Sequence, residues 1–217
     1  MTNRFYEERV LRSLEREKTL GTVVILNGPP GVGKDTIAEH LSRVTLLEVD
    51  MFKSSLYEAT AKYFDVPLRD FTMRATDREQ KELPWDALVL QLGGSWGGEN
   101  GNWAVMMSPR EALIFVSERV YKPLFGADYF GHAAVQLAKE GGVLDVVYSD
   151  GGFPEETQVM KDSCEKLFII HLIRPGYTFE GDSRDYIQGF EADTHQVHLK
   201  EGDPLNAVGK IKEITGL

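Results

Sequence analysis

Apolar and polar positions along this chain switch repeatedly between a helical rhythm and short unbroken apolar runs. From Asn3 to Lys18 the residues Phe5, Val10, Leu11 and Leu14 fall on one stripe among charges, which predicts a leading amphipathic helix over about residues 1–20. Thr22–Leu26 (TVVIL) is β-branched and lacks polar alternation, the pattern of a strand buried on both faces. A Gly/Pro-rich turn follows, then a helix over Lys34–Val44 and a second apolar run, Leu46–Val49, that ends in Asp50. Strand, helix and strand in so short a span make a βαβ unit.

Met51–Phe64 reads as a helix closed off by Val66-Pro67. The charged stretch Arg69–Glu82 and the glycine-rich Gly93–Trp103 predict neither helix nor strand. Helices are expected at Pro109–Leu124, with Ser108 as cap and Pro109 at its first position, and at Asp128–Glu140. Leu144–Ser149 is a strand ended by Asp150 and two glycines, Pro154–Glu165 a helix, and Leu167–Ile173 the most apolar strand. Gln196–Leu199 and Pro204–Ile214 complete the pattern as strand and helix. Strands alternating with helices predict an α/β fold of three layers, α/β/α, around a central parallel sheet of about five strands. A ligand is expected beyond the carboxyl ends of the strands, where Asn27/Gly28, Asp50, Asp150 and Arg174 converge.

The length of 217 residues suits a single domain over 1–217, and 42% apolar with 27% charged residues promises a sizeable core. No run approaches the roughly 18 apolar residues of a membrane span. The charged N-terminus does not read as a signal peptide, so a cytoplasmic protein without a membrane partner is expected. Cys164 stands alone, which rules out an intramolecular disulfide and a multi-cysteine zinc site; it falls in a polar helical stretch without a neighbouring histidine, unlike a catalytic thiol. A net charge of −10 with no Lys/Arg cluster argues against nucleic acid, while small anionic ligands stay open.

Candidate chemistry concentrates in Gly28-Pro29-Pro30-Gly31-Val32-Gly33-Lys34, which fits GxxxxGK between a buried strand and a helix. Gly28, Gly31 and Gly33 let successive backbone N–H groups, with that of Val32, face phosphate oxygens, and the helix start adds its dipole. Lys34 then supplies positive charge to the β- and γ-phosphates. The Ser/Thr that usually follows the lysine is replaced by Asp35, with Thr36 one place later. Either Thr36 contacts phosphate or magnesium from the next helical position, or Asp35 reaches the metal or the acceptor; the dipole alone also explains Asp35. Asp150, closing an apolar strand, either has the position of an acid that orients hydrated Mg²⁺ or caps the Gly151-Gly152 turn as a strand-end residue.

The loop with Asp35-Thr36, followed by Asp50-Met51-Phe52-Lys53, resembles the phage deoxynucleoside monophosphate kinases, a branch of the P-loop nucleoside monophosphate kinases. Asp77-Arg78-Glu79-Gln80-Lys81-Glu82, Ser108-Pro109-Arg110-Glu111, Phe125-Gly126-Ala127-Asp128 and Ile173-Arg174-Pro175-Gly176 follow in the order of that family, from about Val23 to the C-terminus. The resemblance implies a P-loop kinase fold with an acceptor-binding insertion at about 51–107 and a lid-like segment at about 176–192. It implies transfer of the γ-phosphoryl group of ATP to a deoxynucleoside monophosphate (dNMP) in the cytoplasm of an infected bacterium, with Mg²⁺. Lys34, Asp35, Arg110 and Asp150 would serve catalysis, and Thr36 and Asp150 the metal. Arg174 would join the loop at ATP. Asp50, Lys53, Arg78, Trp85, Arg110, Lys122 and Arg184 would serve the acceptor and its phosphate. Trp85, Trp96 and Trp103 either stack on the acceptor base or pack in the core. A homodimer is compatible with this reading.

Two positions depart from the family. Its arginine shortly after the strand-end aspartate ("DVRFPNE") is absent from Asp150-Gly151-Gly152-Phe153-Pro154-Glu155-Glu156, and the arginine of its long helix is Lys122 here. Lower activity, another acceptor, or compensation by Arg184 are the three consequences. The alternatives to a dNMP kinase are a P-loop kinase for another small phosphorylated acceptor, such as phosphomevalonate, and a nucleotide-binding protein without turnover.

Overall fold

The structure, a computed structural model, describes residues 19–92, 103–182 and 184–217, with only the backbone of Leu92 and Trp103. The leading helix, most of the glycine-rich stretch and Trp96 lie outside the described residues. The chain runs β1 (Leu20–Asn27), α1 (Lys34–Val44), β2 (Glu48–Asp50), α2 (Lys53–Tyr63), α3 (Leu68–Thr76), β3 (Trp85–Leu92), β4 (Trp103–Met107) and α4 (Pro109–Phe115). It continues through α5 (Lys122–Phe125), α6 (Tyr129–Glu140), β5 (Val146–Gly151), α7 (Pro154–Ser163), β6 (Cys164–Ile173), β7 (Thr194–His198) and α8 (Pro204–Thr215). Two compact units result, residues 53–129 forming the second and the remainder the first. Among the described residues no helix is long and apolar enough to cross a membrane.

In the first unit, five parallel strands pair in the order β2-β5-β1-β6-β7. The chain steps outward from β1 to one side, then crosses over it to the other, so the carboxyl end of β1 is a topological switch point. Alternate residues of the buried strands face opposite layers. Val23, Ile25, Val146, Tyr148 and Ile169 pack with Ala134, Val135 and Ala138 of α6 and Val159 and Met160 of α7. Val24, Leu26, Val147, Ile170 and Leu172 pack with Ile37 and Leu41 of α1 and Val208 and Ile211 of α8. This is the expected three-layer α/β/α arrangement. Each fully buried aliphatic side chain contributes roughly 1.5–3 kcal/mol, more than the roughly 0.5–1.5 kcal/mol of one hydrogen bond, so the sheet core fixes where the strand ends stand.

Several elements differ from the sequence pattern. Arg69–Glu82 contains α3 and a 3₁₀ turn, Gln80–Glu82. Its charges mask a helical stripe, because only Phe71 and Ala75, four apart, are fully buried, and the other residues of the helix are exposed or half-buried. Trp85–Leu92 and Trp103–Met107 form an antiparallel pair, so Trp103 opens a strand. β5 runs on through Asp150 to Gly151, which pairs with Asn27. Cys164 is not helical: it opens β6, opposite Leu20. The helix at Pro109–Leu124 contains a π-helical turn, Val116–Tyr121, in which the Lys122 N–H bonds to the Ser117 carbonyl. Pro123, with no N–H of its own, breaks the regular ladder there.

The second unit has its own small core around Phe71, Leu88, Ala112 and Val116, with Tyr57 edge-on to Phe71 at 6.0 Å between ring centroids. Ser108 caps α4 as predicted. Its hydroxyl accepts the Glu111 N–H at 3.3 Å, and the Glu111 carboxylate accepts the Ser108 N–H at 2.8 Å, a reciprocal capping box.

Candidate functional site

The loop between β1 and α1 takes the shape its glycines allow. Gly31 and Gly33 sit at φ +74° and +111°, in the left-handed region, and among the described residues nothing lies within 4 Å of where a Cβ on Gly33 would stand. Gly33 caps α1 without a side-chain bond, and the first intrahelical bond is Ile37 N–H to the Gly33 carbonyl at 3.0 Å. The N–H groups of the first turn are therefore oriented outward without an intrahelical partner. Lys34 is half-buried and folds back across the loop, its Nζ donating to the carbonyls of Gly28 at 2.6 Å and Pro29 at 2.9 Å. Burial and then the charge of Arg184 push its pKa down to about 8, against the pull of Asp35, Asp150 and Asp182. A cation held this way on two neutral carbonyls is ready to exchange them for phosphate oxygens. The open glycine concavity, the uncapped helix start and the lysine fit a triphosphate chain.

The neighbouring strand ends add carboxylates. Asp150 Oδ1 accepts the Phe52 N–H at 2.8 Å, joining the end of β5 to the residue that follows β2 and its turn. Asp50 Oδ1 accepts the N–H of Met51 at 2.7 Å. Between them Phe52 stacks on Tyr148 at 4.4 Å; burial first, then Asp50 and Asp150, hold the Tyr148 phenol far above its ordinary range. Asp35 and Thr36 are exposed on the first turn of α1.

Arg174, just past β6, lies with its guanidinium 4.5 Å from the Tyr177 ring centroid and pairs with Glu201 at 3.1 Å. It lines a cavity of about 150 Å³ with Val32, Gly33, Thr36, Lys200 and Asp203. That is well below the roughly 300–1,000 Å³ that encloses a whole drug-sized ligand.

Among the described residues of 176–192, no regular element precedes the 3₁₀ turn Glu191–Asp193. Its latter half is fastened to the core: Ile187 and Phe190 are buried, and the Tyr186 hydroxyl donates to the Leu172 carbonyl at 3.1 Å. Arg184 is paired with Asp182, whose hydrogen bonds raise the guanidinium's pKa further above its ordinary value.

The remaining candidates belong to the second unit. Arg110 pairs with Glu82 at 3.0 Å, and Lys122 with Glu118 at 2.5 Å. Lys53 lies 6.0 Å from the Tyr57 ring centroid, and Arg74 covers the ring of Trp85 at 4.6 Å. Arg78 is exposed, beside Asp77, whose Oδ1 caps the 3₁₀ turn by accepting from Glu79 and Gln80 at 2.9 and 2.8 Å. Sequence reasoning singled out Arg110 and Arg184 but not their partners Glu82 and Asp182. It also missed the role of Asn27, whose position just before the loop was the only signal.

No protein-family model matches the sequence, and no match is found among curated proteins. Among solved structures, the chain is similar to an unliganded sugar kinase from Janibacter sp. HTCC2649, with 15% identity, a TM-score of 0.40, and coverage of 91% of this chain and 95% of that one. A likeness that weak identifies neither activity nor substrate.

Proposed function

We propose that the protein is an ATP-dependent phosphotransferase whose acceptor is a small phosphorylated molecule, a deoxynucleoside 5′-monophosphate. The observation that carries this reading is the Gly28–Thr36 loop at the switch point of the sheet, with Lys34 drawn back onto the Gly28 and Pro29 carbonyls. Phosphoryl transfer requires little covalent participation from the protein; it requires two polyanions held in line and their charge neutralised. Lys34 and the loop amides would hold the β- and γ-phosphates, and the Arg174 cavity would take the base, with the guanidinium on its face. Bound Mg²⁺ would neutralise phosphate charge. Among the described residues no three His, Cys, Asp or Glu side chains converge as a metal cage. One or two protein groups suffice when phosphates supply the other ligands, and Asp150 with Thr36 are the groups this chain offers. Asp35 would act from the first turn of α1 on metal or acceptor.

On the acceptor side the reading assigns Arg110 to the phosphate, because Ser108 and Glu111 of the same motif are consumed by the capping box while Arg110 carries an exchangeable surface carboxylate. Asp50, Lys53, Arg78, Lys122 and Trp85 complete the set on family resemblance. A coupled ADP-release assay with the four common dNMPs and phosphomevalonate tests the reading. Turnover with a dNMP supports it. Turnover with phosphomevalonate alone moves the acceptor to another class, and tight ATP binding with no turnover leaves a nucleotide-binding protein.

A further inference from the structure

The residue that follows β5, Gly152, has no side chain where the Arg184 side chain lies. A Cβ built on the buried Gly152 would stand 2.6 Å from Cδ, 2.9 Å from Cγ and 3.1 Å from Cβ of Arg184. The aliphatic stem of Arg184 fills that space. The backbone at Gly152 is not left-handed, so the glycine answers to this contact and not to conformational need.

Arg184 is held on both sides. Asp182 Oδ1 accepts its backbone N–H at 3.0 Å and its Nε–H at 2.9 Å, while Oδ2 accepts from Nη2 at 2.9 Å. That is a bidentate fork closed on a local turn. Just beyond it, Asn27 Nδ2 donates to the carbonyls of Asp185 at 3.2 Å and Gly151 at 3.1 Å, and Asn27 Oδ1 accepts the Ile187 N–H at 3.0 Å. Asn27 is the residue immediately before the phosphate loop. One buried side chain thus registers the arginine's segment against both β1 and β5, and the arginine stands on a fixed mount.

We propose that Gly152 and Asp182 are positioning residues for Arg184: the missing side chain at 152 admits the arginine over the end of β5, and the Asp182 carboxylate sets its fork beside the phosphate loop, ready for a nucleotide phosphate. This rests on the phosphotransferase reading. Asp182 takes two of the five guanidinium N–H donors, leaving three for phosphate oxygens. The same place could not carry two arginine stems, so an arginine supplied from the 184 position and a side chain at 152 exclude each other. The competing role is purely structural, because Asp150 and Glu156 also lie within electrostatic reach of Arg184.

Calorimetric titration of the full chain with ATP separates the two, with the thermal midpoint of each variant recorded alongside. Arg184→Ala is expected to weaken ATP binding roughly 10–100-fold, the range for charge-assisted hydrogen bonds. Gly152→Ala and Asp182→Asn should each weaken it by at least about threefold alone and have no further effect on the Arg184→Ala background, as members of one coupled unit do. Arg184→Lys, which keeps charge and stem, should still lose about fivefold or more because the fork is gone. Equal ATP affinity in wild type and in either Arg184 variant overturns the proposal, whatever happens to the thermal midpoint. Additive losses in the double variants overturn the positioning roles. Wild type that binds no ATP overturns the nucleotide reading itself, a result distinct from either of these.

Discussion

Asn27 and Ile187 are joined side chain to backbone: the fully buried Asn27 Oδ1 accepts the Ile187 N–H at 3.0 Å, tying the last residue of β1 to a segment far along the chain. The same amide reaches the Gly151 and Asp185 carbonyls. Asn27→Ala would leave buried donors and acceptors unpaired, at about 1–3 kcal/mol for each group. The expected result is a loss of at least about 2 kcal/mol in urea unfolding with an unchanged m-value; a loss under about 0.5 kcal/mol would mean that the segment is not anchored here.

His171 gives the fold an acid weakness. It is 6% exposed on β6, its Nε2 has no hydrogen-bond partner among the described residues, and its ring lies 4.8 Å from that of Tyr186. Burial holds its pKa below the ordinary value. The unfolded chain therefore binds a proton more readily, and stability is lost as pH falls below about 6.5. His171→Phe keeps a ring against Tyr186 and removes the titration, so its urea midpoint should drop less than that of wild type between pH 7.5 and about 5. Parallel drops would assign the acid sensitivity to other groups.

How far the sequence carried the fold can be read from particular residues. TVVIL and the GxxxxGK turn are local signals, and β1, the loop and α1 follow them closely. Local charge hid α3, because only Phe71 and Ala75 of that helix report its buried face. The β3–β4 pair was hidden because residues 93–102 separate its two strands, far more than the two-residue turns that mark hairpins most plainly in a sequence. At the candidate site, the glycine turn between β1 and α1 and the helix start at Lys34 follow the local sequence pattern, whereas the fit of Arg184 over Gly152 exists only once β5 and the 184–187 segment are side by side. A missing arginine is visible in a sequence; the group that fills its space is not.

Arg110 should be separable from the ATP side. Glu82 pairs with it at 3.0 Å on an exposed surface, an ion pair worth at most about 1 kcal/mol, so an acceptor phosphate can displace the carboxylate. Arg110→Lys keeps the charge and loses the bidentate fork. The KM for the dNMP is expected to rise about tenfold while the KM for ATP changes less than about twofold. Equal changes in both would place Arg110 outside the acceptor site.

The lysine should leave its mark on the pH profile. On the proposed phosphotransferase reading, Lys34 must be protonated to receive phosphate, and its pKa is pushed down to about 8. The kcat/KM for ATP should therefore be full below that pH and fall above it, since this ratio reports groups of the free enzyme. An alkaline limb that begins only above about pH 10 would mean that Lys34 titrates as an ordinary exposed lysine.

The most direct measurement is transfer of label from γ-labelled ATP to the four dNMPs, by wild type and by Lys34→Ala in parallel. The expected outcome is labelled deoxynucleoside diphosphate from wild type and a roughly 10²–10³-fold lower rate from the variant, with the fold retained. No transfer to any of the four by wild type, or a wild-type rate in Lys34→Ala, would contradict the account.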